Sequence, residues 1–321
     1  MLSEFDLIAT YFTRPVNSAS LGIGDDCALL MPEPGNQIAV SCDMLVSGTH
    51  FFADTDPEQL GHKALAVNLS DLAAMGADPV AFTLALALPE PDEAWLKPFS
   101  EGLFKLAQCC HCELIGGDTT RGPLNICITI FGQVPVGQAL RRDGARPGDD
   151  IWVSGTLGDA RLALAHLRHE TVLDDEAFRA VRPRLQMPLP RIALGKALRK
   201  TASAALDVSD GLIGDLTHIL DASGVGATVN VDALPVSSVL SAQPEDFRLQ
   251  CALSGGDDYE LCFTAPVSQR ARVLEASTQT GVPVTRIGFI ESQSGLRLKK
   301  ATGETQPFSH RSFDHFKPAK K

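Results

Sequence analysis

No run of apolar residues in this 321-residue chain is long enough to cross a bilayer. The longest, residues 80–88 (VAFTLALAL), has about half the length required. Positive charge is also short. Lys and Arg number 28 against 39 Asp and Glu, so the formal net charge is −11. That balance excludes a general nucleic-acid binder, and any bound phosphate needs cations supplied locally. The first residues, MLSEFDLIATYF, carry acids where a secretory leader carries Lys or Arg. The expected location is therefore cytoplasmic, with the eight cysteines as reduced thiols. Nucleotide signatures are missing too. There is no G-x-x-x-x-G-K-[ST], and Gly195-Lys196 lacks the upstream glycine. Gly22-x-Gly24 begins like a dinucleotide fingerprint, but position 27 is Cys, and Asp25 and Asp26 would repel a bare pyrophosphate. No H-R-D or D-F-G occurs, and no short repeat or low-complexity tract. Cys109, Cys110, His111 and Cys112 lack the second ligand pair of a zinc site and continue an apolar helical pattern, so they read as buried small side chains.

What is present describes an ordered chain of two domains: 44 % hydrophobic and 21 % charged residues, at a length too great for one small core. Ser3-x-x-Asp6 predicts a short capped helix. Strands are predicted at 38–46, 80–88 and 124–134, and helices at 57–75 and 92–110. The polar stretch 138–150 (QALRRDGARPGDD) is the domain boundary, dividing 1–137 from 138–321. Beyond it, strands are predicted at 151–154, 204–208, 227–231, 259–263 and 284–290, with helices at 158–167, 191–200, 212–222 and 269–280. The last residues, through Lys321, read as frayed. Strands and helices mix without strict alternation, which favours two α/β or α+β domains with mixed sheets over a barrel of alternating units.

Asp outnumbers Glu 25 to 14, which points to loops bearing carboxylates. Six segments join Asp to small residues: 22–29 (GIGDDCAL), 41–43 (SCD), 68–71 (NLSD), 116–120 (GGDTT), 207–211 (DVSDG) and 255–259 (GGDDY). All are expected at the ends of strands or helices, where loops gather on one edge of a sheet. Each alone is an ordinary turn. If they converge, carboxylates about 4 Å apart repel by roughly 4 kcal/mol at an effective dielectric of 20, and protonation or a cation must relieve them. Asp71, near the C-terminal end of its helix, is out of place by the helix dipole unless a cation compensates. Hard oxygen donors favour Mg²⁺, which binds through a few carboxylates plus substrate phosphates. Convergence thus predicts a metal-bridged phosphate site. Arg142 and Arg121 are candidate phosphate partners, and each alone is also an ordinary solvated side chain. His50, after Gly48-Thr49, and the Phe313–Phe316 tail (FDHF) are candidate ligand contacts or plain packing.

Read in order, GIGDDCA, SCDMLVSGTHF, NLSDLAAMGADP, LIGGDTTRG, RRDGARPGD, LDVSDGL, GGDDYEL and FDHF resemble the thiamine-monophosphate kinase family from about Phe5 to Phe316. Aminoimidazole-ribonucleotide synthetase, selenophosphate synthetase and the hydrogenase maturation dehydratase share parts of the set. The resemblance implies two α/β domains of the aminoimidazole-ribonucleotide-synthetase type. The N-terminal one would bind ATP and Mg²⁺ and form a shared β-barrel in a homodimer, and the C-terminal one would complete the active site. It implies transfer of the γ-phosphate of ATP to thiamine monophosphate, the last step in making thiamine diphosphate. Carried over by position, Asp26, Ser41, Cys42, Asp43, Asp71, Asp118, Asp207 and Asp210 would hold several Mg²⁺ ions, with Asp43, Asp118 and Asp210 catalytic. Gly117, Asp118, Arg142 and Ser209 would contact ATP; His50, Glu260 and Phe316 would contact thiamine phosphate. Cys42 departs from the family's Thr, a change tolerated if the ligand there is the backbone carbonyl. Phe104 is placed where relatives carry an aromatic contact to ATP. No nucleic-acid or membrane partner is expected. Two other readings stand beside this one: another ATP-using enzyme of the same superfamily, which would release inorganic phosphate, and a non-catalytic divalent-ion module.

Overall fold

Alternation in 125–135 (NICITIFGQVP) puts Ile126, Ile128, Ile130 and Val134 on one side of a strand, and all four are buried. The computed structural model describes the chain apart from residues 1–2, 24–25, 310–311, 314–315 and 317–321, and the side chains of 4 and 5. The predicted fraying at the C-terminus lies outside the described residues. The chain divides into two units, Met1–Leu72 with Ala77–Gly137, and Ala73–Gly76 with Gln138–Lys321. The division thus also passes through the end of one helix, which the composition of 138–150 did not foretell.

The first unit opens with α1 (Glu4–Leu7), a π-helical turn (Ile8–Phe12), and the short strands β1 (Ala19–Leu21) and β2 (Leu29–Leu30). Ser3 and Asp6 hydrogen-bond reciprocally at the start of α1, as its capping pattern predicts. There follow β3 (Asn36–Val46), α2 (Pro57–Ala74), β4 (Asp78–Leu88), α3 (Glu93–Cys109), β5 (Glu113–Arg121) and β6 (Asn125–Pro135). The sheet order is β3-β6-β4-β5; β6 runs antiparallel to both neighbours, and β5 is parallel to β4. α2 and α3 cross closely, because Gly61 and Gly102 bring each backbone against the other; a Cβ at Gly61 would strike the Phe99 carbonyl. From Leu60 to Ser70, α2 is buried on every side, which holds its polar residues Asn68 and Ser70 at 1 % and 0 % exposure. The other face of β3 is open, with Val40 59 % and Met44 53 % exposed.

The second unit contains β7 (Asp150–Ser154), α4 (Asp159–Leu167), α5 (Asp175–Gln186), α6 (Ile192–Ala197), β8 (Ala204–Asp207), α7 (Leu212–Ser223) and β9 (Gly226–Asn230). It continues with α8 (Ser238–Ser241), α9 (Glu245–Ser254), β10 (Leu261–Ala265), α10 (Arg270–Thr280), β11 (Val284–Glu291) and β12 (Gly295–Lys299). Six strands form a mixed sheet in the order β12-β9-β11-β7-β10-β8. Only the outer β12–β9 pair is parallel. Alternate residues fill a core on each face: Ile151, Val153 and Cys262 pack with Leu216 and Ile219, while Trp152 and Phe263 pack with Leu194 and Val273. Both faces being covered, β7 and β10 are buried at every residue rather than at alternate ones.

Candidate active site

The six acidic segments come together as three pairs. The first joins SCD to NLSD. Ser41 and Asp43 share one face of β3, and Asn68 and Asp71 lie three apart on α2. The Ser41 hydroxyl donates to Asp71 Oδ2. Because β3 is an edge strand, the Asp43 N–H lacks a ladder partner; Asn68 Oδ1 accepts it at 3.1 Å, and the Asn68 amide nitrogen donates to the Ala64 carbonyl at 2.9 Å. Cys42 points to the opposite face, so any ligation by it is through its backbone, as the resemblance requires.

The second pair shares a cavity of about 870 Å³. Phe12, Ile23 and Asp26 form one wall; Thr83, Gly117 and Asp118 form another. GGDTT was expected at an element end, but it lies inside β5, where Gly117 pairs with Leu84 and Asp118 with Ala85. Pairing with β4 overrides the poor strand propensity of the glycines, and Gly117 is required: its φ is 149°, and a Cβ would collide with the Leu84 carbonyl oxygen. The segment leading to the Asp26 wall has an anchor that the motifs did not reveal, Glu113. Glu113, at the start of β5, accepts from the N–H groups of Asn17 and Ser18 at 2.7 Å each, the Ser18 hydroxyl at 2.7 Å and the Asn17 amide at 3.1 Å. Burial raises the Glu113 pKa, but these donors outweigh it and hold it at about 2. Residues 24 and 25 of GIGDD lie outside the described residues.

In the second unit, DVSDG meets GGDDYEL. The Asp257 N–H donates to the Ser209 carbonyl and the Tyr259 N–H to the Val208 carbonyl, both at 2.8 Å; Val208 N–H donates to the Glu260 carbonyl at 2.7 Å. Asp257 and Tyr259 take positive φ values of 66° and 50°, strain of the kind that gathers at functional turns. Asp207 ends β8 and is buried, while Asp210 is exposed. Asp215 Oδ2 accepts the N–H groups of Ser209, Asp210 and Gly211 at 3.0–3.1 Å and so closes the loop. Burial, then the nearby Asp210, push Asp215 up to about 7. Its signal was a carboxylate in the first turn of α7. The FDHF tail reaches the same loop: Phe313 N–H donates to the Asp210 carbonyl at 3.1 Å, and Phe316 is 95 % exposed. Asp314 and His315 lie outside the described residues.

Glu260 is fully buried. Its two oxygens accept from Arg184 Nη2 (2.5 Å), Arg191 Nε and Nη2 (2.7 and 2.5 Å) and the Ser154 hydroxyl (2.5 Å). A substrate contact by this carboxylate was expected; its acceptor capacity is instead taken up internally. Arg142 is exposed, and its carbonyl accepts from Ser223. His50 Nδ1 accepts the Val46 N–H at 2.9 Å, which places the neutral ring's hydrogen on Nε2. Arg14 stacks on Phe104 at 4.5 Å. Arg121 is exposed, its Nε donating to the Pro89 carbonyl at 3.3 Å. Of the cysteine run, Cys112 is buried and Cys109 exposed.

Among the described residues, no group of three or more His, Cys, Asp and Glu side chains is close enough to hold a metal by itself. Mg²⁺ takes one or two carboxylates and completes its shell with water and phosphate. The donors offered in the first unit, the Ser41 hydroxyl and the carboxylates of Asp43, Asp71, Asp26 and Asp118, are all hard oxygens.

The family described as AIR synthase related protein, N-terminal domain, matches residues 24–134, and its C-terminal counterpart matches 146–300. The thiamine-monophosphate kinase of Salmonella typhimurium is 51 % identical over 98 % of both chains. The crystal structure of thiamine-monophosphate kinase from Stenotrophomonas maltophilia K279a has a TM-score of 0.84 and 49 % identity, covering 90 % of this chain and 93 % of that one. AaThiL complexed with AMPPCP and TMP has a TM-score of 0.75 and 30 % identity, covering 86 % and 88 %. With this agreement along nearly its whole length, the chain belongs to the thiamine-monophosphate kinase family.

Proposed function

We propose that the protein transfers the γ-phosphoryl group of ATP to the phosphate of thiamine monophosphate, giving thiamine diphosphate and ADP. The observation that carries this reading is the joining of acidic motifs in pairs, in a chain whose relatives over 98 % of its length are thiamine-monophosphate kinases. AaThiL, 30 % identical, is complexed with both AMPPCP and TMP.

The nucleophile is a phosphate-monoester oxygen. Its second pKa is about 6, so at neutral pH it is already largely dianionic and needs no general base. The task left to the protein is to bring two polyanions together in line, and transfer is direct, without a phosphoenzyme. Mg²⁺, when bound, neutralises and orients the phosphates. In the first unit Asp26, Ser41, the Cys42 carbonyl, Asp43, Asp71 and Asp118 are its candidate holders, and in the second Asp207 and Asp210. Gly117 lets the backbone of β5 approach the nucleotide, and Arg142 and Ser209 supply a cation and a hydroxyl. His50 Nε2–H and the exposed Phe316 ring suit the phosphate and the thiamine rings. Glu260 acts through Arg184 and Arg191, whose guanidinium groups it holds.

The open face of β3 supports a homodimer in which the four-stranded sheets of two copies cover each other. Among the described residues no helix is long and apolar enough to cross a membrane, and all eight cysteines are free thiols, which supports a cytoplasmic location. The test is turnover of thiamine monophosphate with ATP, with and without Mg²⁺. Thiamine diphosphate should form only with the metal, and Asp43→Asn and Asp118→Asn should each lower kcat by about 100-fold or more. Release of inorganic phosphate without thiamine diphosphate, or full activity in both variants, would overturn the reading.

A further inference from the structure

Helix α7 begins without a cap of its own. Gly211 holds its N-cap position and has no side chain to accept the N–H groups that a first helical turn leaves unpaired. The missing oxygen comes from the C-terminal segment. Ser312 Oγ accepts the Gly214 N–H at 2.8 Å and donates to the Gly211 carbonyl at 3.4 Å. Gly214 makes room for this. A Cβ there would lie 2.6 Å from both Cβ and Oγ of Ser312. Glycine is a poor residue inside a helix, and the close approach of Ser312 accounts for it.

Further contacts hold the chain on either side of Ser312. The Gln306 N–H donates to the Leu298 carbonyl at 2.9 Å, and the Phe313 N–H to the Asp210 carbonyl at 3.1 Å. Phe308 packs against the core that contains Leu212 and Leu216. Ser312 is half-buried, and Phe316, four residues on, is 95 % exposed. The loop beneath Ser312 has its own support, because Asp215 Oδ2 takes the N–H groups of Ser209, Asp210 and Gly211. Loss of the Ser312 hydroxyl therefore loosens the C-terminal segment while the loop keeps its anchor.

We propose that Ser312 is a positioning residue for the thiamine substrate. Seated in the notch at Gly214, it caps α7 and fixes the segment that presents Phe316 to the thiamine rings. This rests on the reading of Phe316 as a thiamine contact. The same seat ties the thiamine end of the site to the loop that carries Ser209 and Asp210.

The test is steady-state kinetics of the full-length protein and four variants. In Ser312→Ala, KM for thiamine monophosphate should rise about 5- to 30-fold, the scale of a lost N-cap. In the same variant kcat and KM for ATP should stay within about threefold of the parent. Ser312→Thr, which keeps the hydroxyl, should hold KM for thiamine monophosphate within about threefold of the parent. Gly214→Ala should raise that KM as Ser312→Ala does. Alanine is the better helix former, so a raised KM with Tm undiminished separates loss of the seat from loss of the fold. In a Phe316→Ala background, Ser312→Ala should add less than about twofold, because it acts through Phe316. Hydrogen exchange at the Gly214 amide should quicken in Ser312→Ala, a readout that needs no turnover. An active parent whose Ser312→Ala variant keeps its KM, loses kcat instead, or multiplies its effect with Phe316→Ala would overturn this proposal alone. A parent that makes no thiamine diphosphate would overturn the kinase reading beneath it.

Discussion

Replacing Glu260 by Gln removes one charge from the most enclosed ionic cluster around the GGDDYEL turn. The Glu260 side chain is 1 % exposed, and those of Arg184 and Arg191 are 19 % and 15 % exposed. Four hydrogen bonds converge on its two oxygens, and the Ser154 hydroxyl that donates one of them also accepts the Leu261 N–H at 2.8 Å. A glutamine keeps the shape but turns an NH₂ group toward a guanidinium and leaves two nearly buried cations without their anion. Breaking a buried pair in this way costs about 3–5 kcal/mol. For a unit of this size each kcal/mol lowers Tm by about 2–4 °C, so melting should fall by roughly 6–20 °C. Calorimetry of Glu260→Gln beside the parent reads this directly, with steady-state kinetics on the same samples below the transition. A carboxylate that instead touched substrate would leave Tm alone and raise KM for thiamine monophosphate. A melting temperature within about 2 °C of the parent would refute the internal role.

Gly117→Ala should abolish nucleotide binding or folding of the first unit, since its Cβ has no room beside the Leu84 carbonyl; calorimetric titration with an ATP analogue reads the first and circular dichroism the second. Glu113→Gln should raise KM for ATP more than it lowers kcat, because it loosens the Asn17–Ser18 segment that leads to the Asp26 wall of the cavity; equal loss in both would argue against a positioning role. With its pKa lowered to about 2, Glu113 contributes stability above its ordinary range, and that contribution should fade as pH falls from about 4.5 toward 2. Proteolysis near residue 18 across this window follows it. Asp215 has the opposite sign. Raised to about 7, it favours the folded state while protonated, so stability should decline by on the order of 2–4 kcal/mol between about pH 4 and 7. Urea unfolding of Asp215→Asn should show a flatter profile over that interval than the parent.

Strands β3, β4 and β6 and helices α2 and α3 were legible because their apolar spacing is a property of short windows, and each is found within a few residues of its predicted bounds. The mixed two-domain class followed from their order. α5 was missed: its sequence, DEAFRAVRPRLQ, is polar and holds Pro183, although Asp174 caps its first turn by accepting the Ala177 N–H at 2.8 Å and Val181 and Leu185 pack in one cluster with α4. β5 read as a turn because Gly116-Gly117-Asp118 has turn composition, whereas its ladder comes from β4, some thirty residues earlier.

The candidate site divides the same way. The acidic motifs were visible as motifs, since residue type and short spacing are written in the chain. Which motif meets which was not. Ser41 reaches Asp71 across 30 positions, Glu113 reaches Asn17 across 96, and Glu260 gathers Ser154 across 106. The sequence alone determined the chemistry on offer, hard oxygens and few cations. Tertiary structure decided which carboxylates are spent inside the fold and which face a cavity, because a side chain's partner is set by burial and strand register, and neither is a property of its neighbours in the chain.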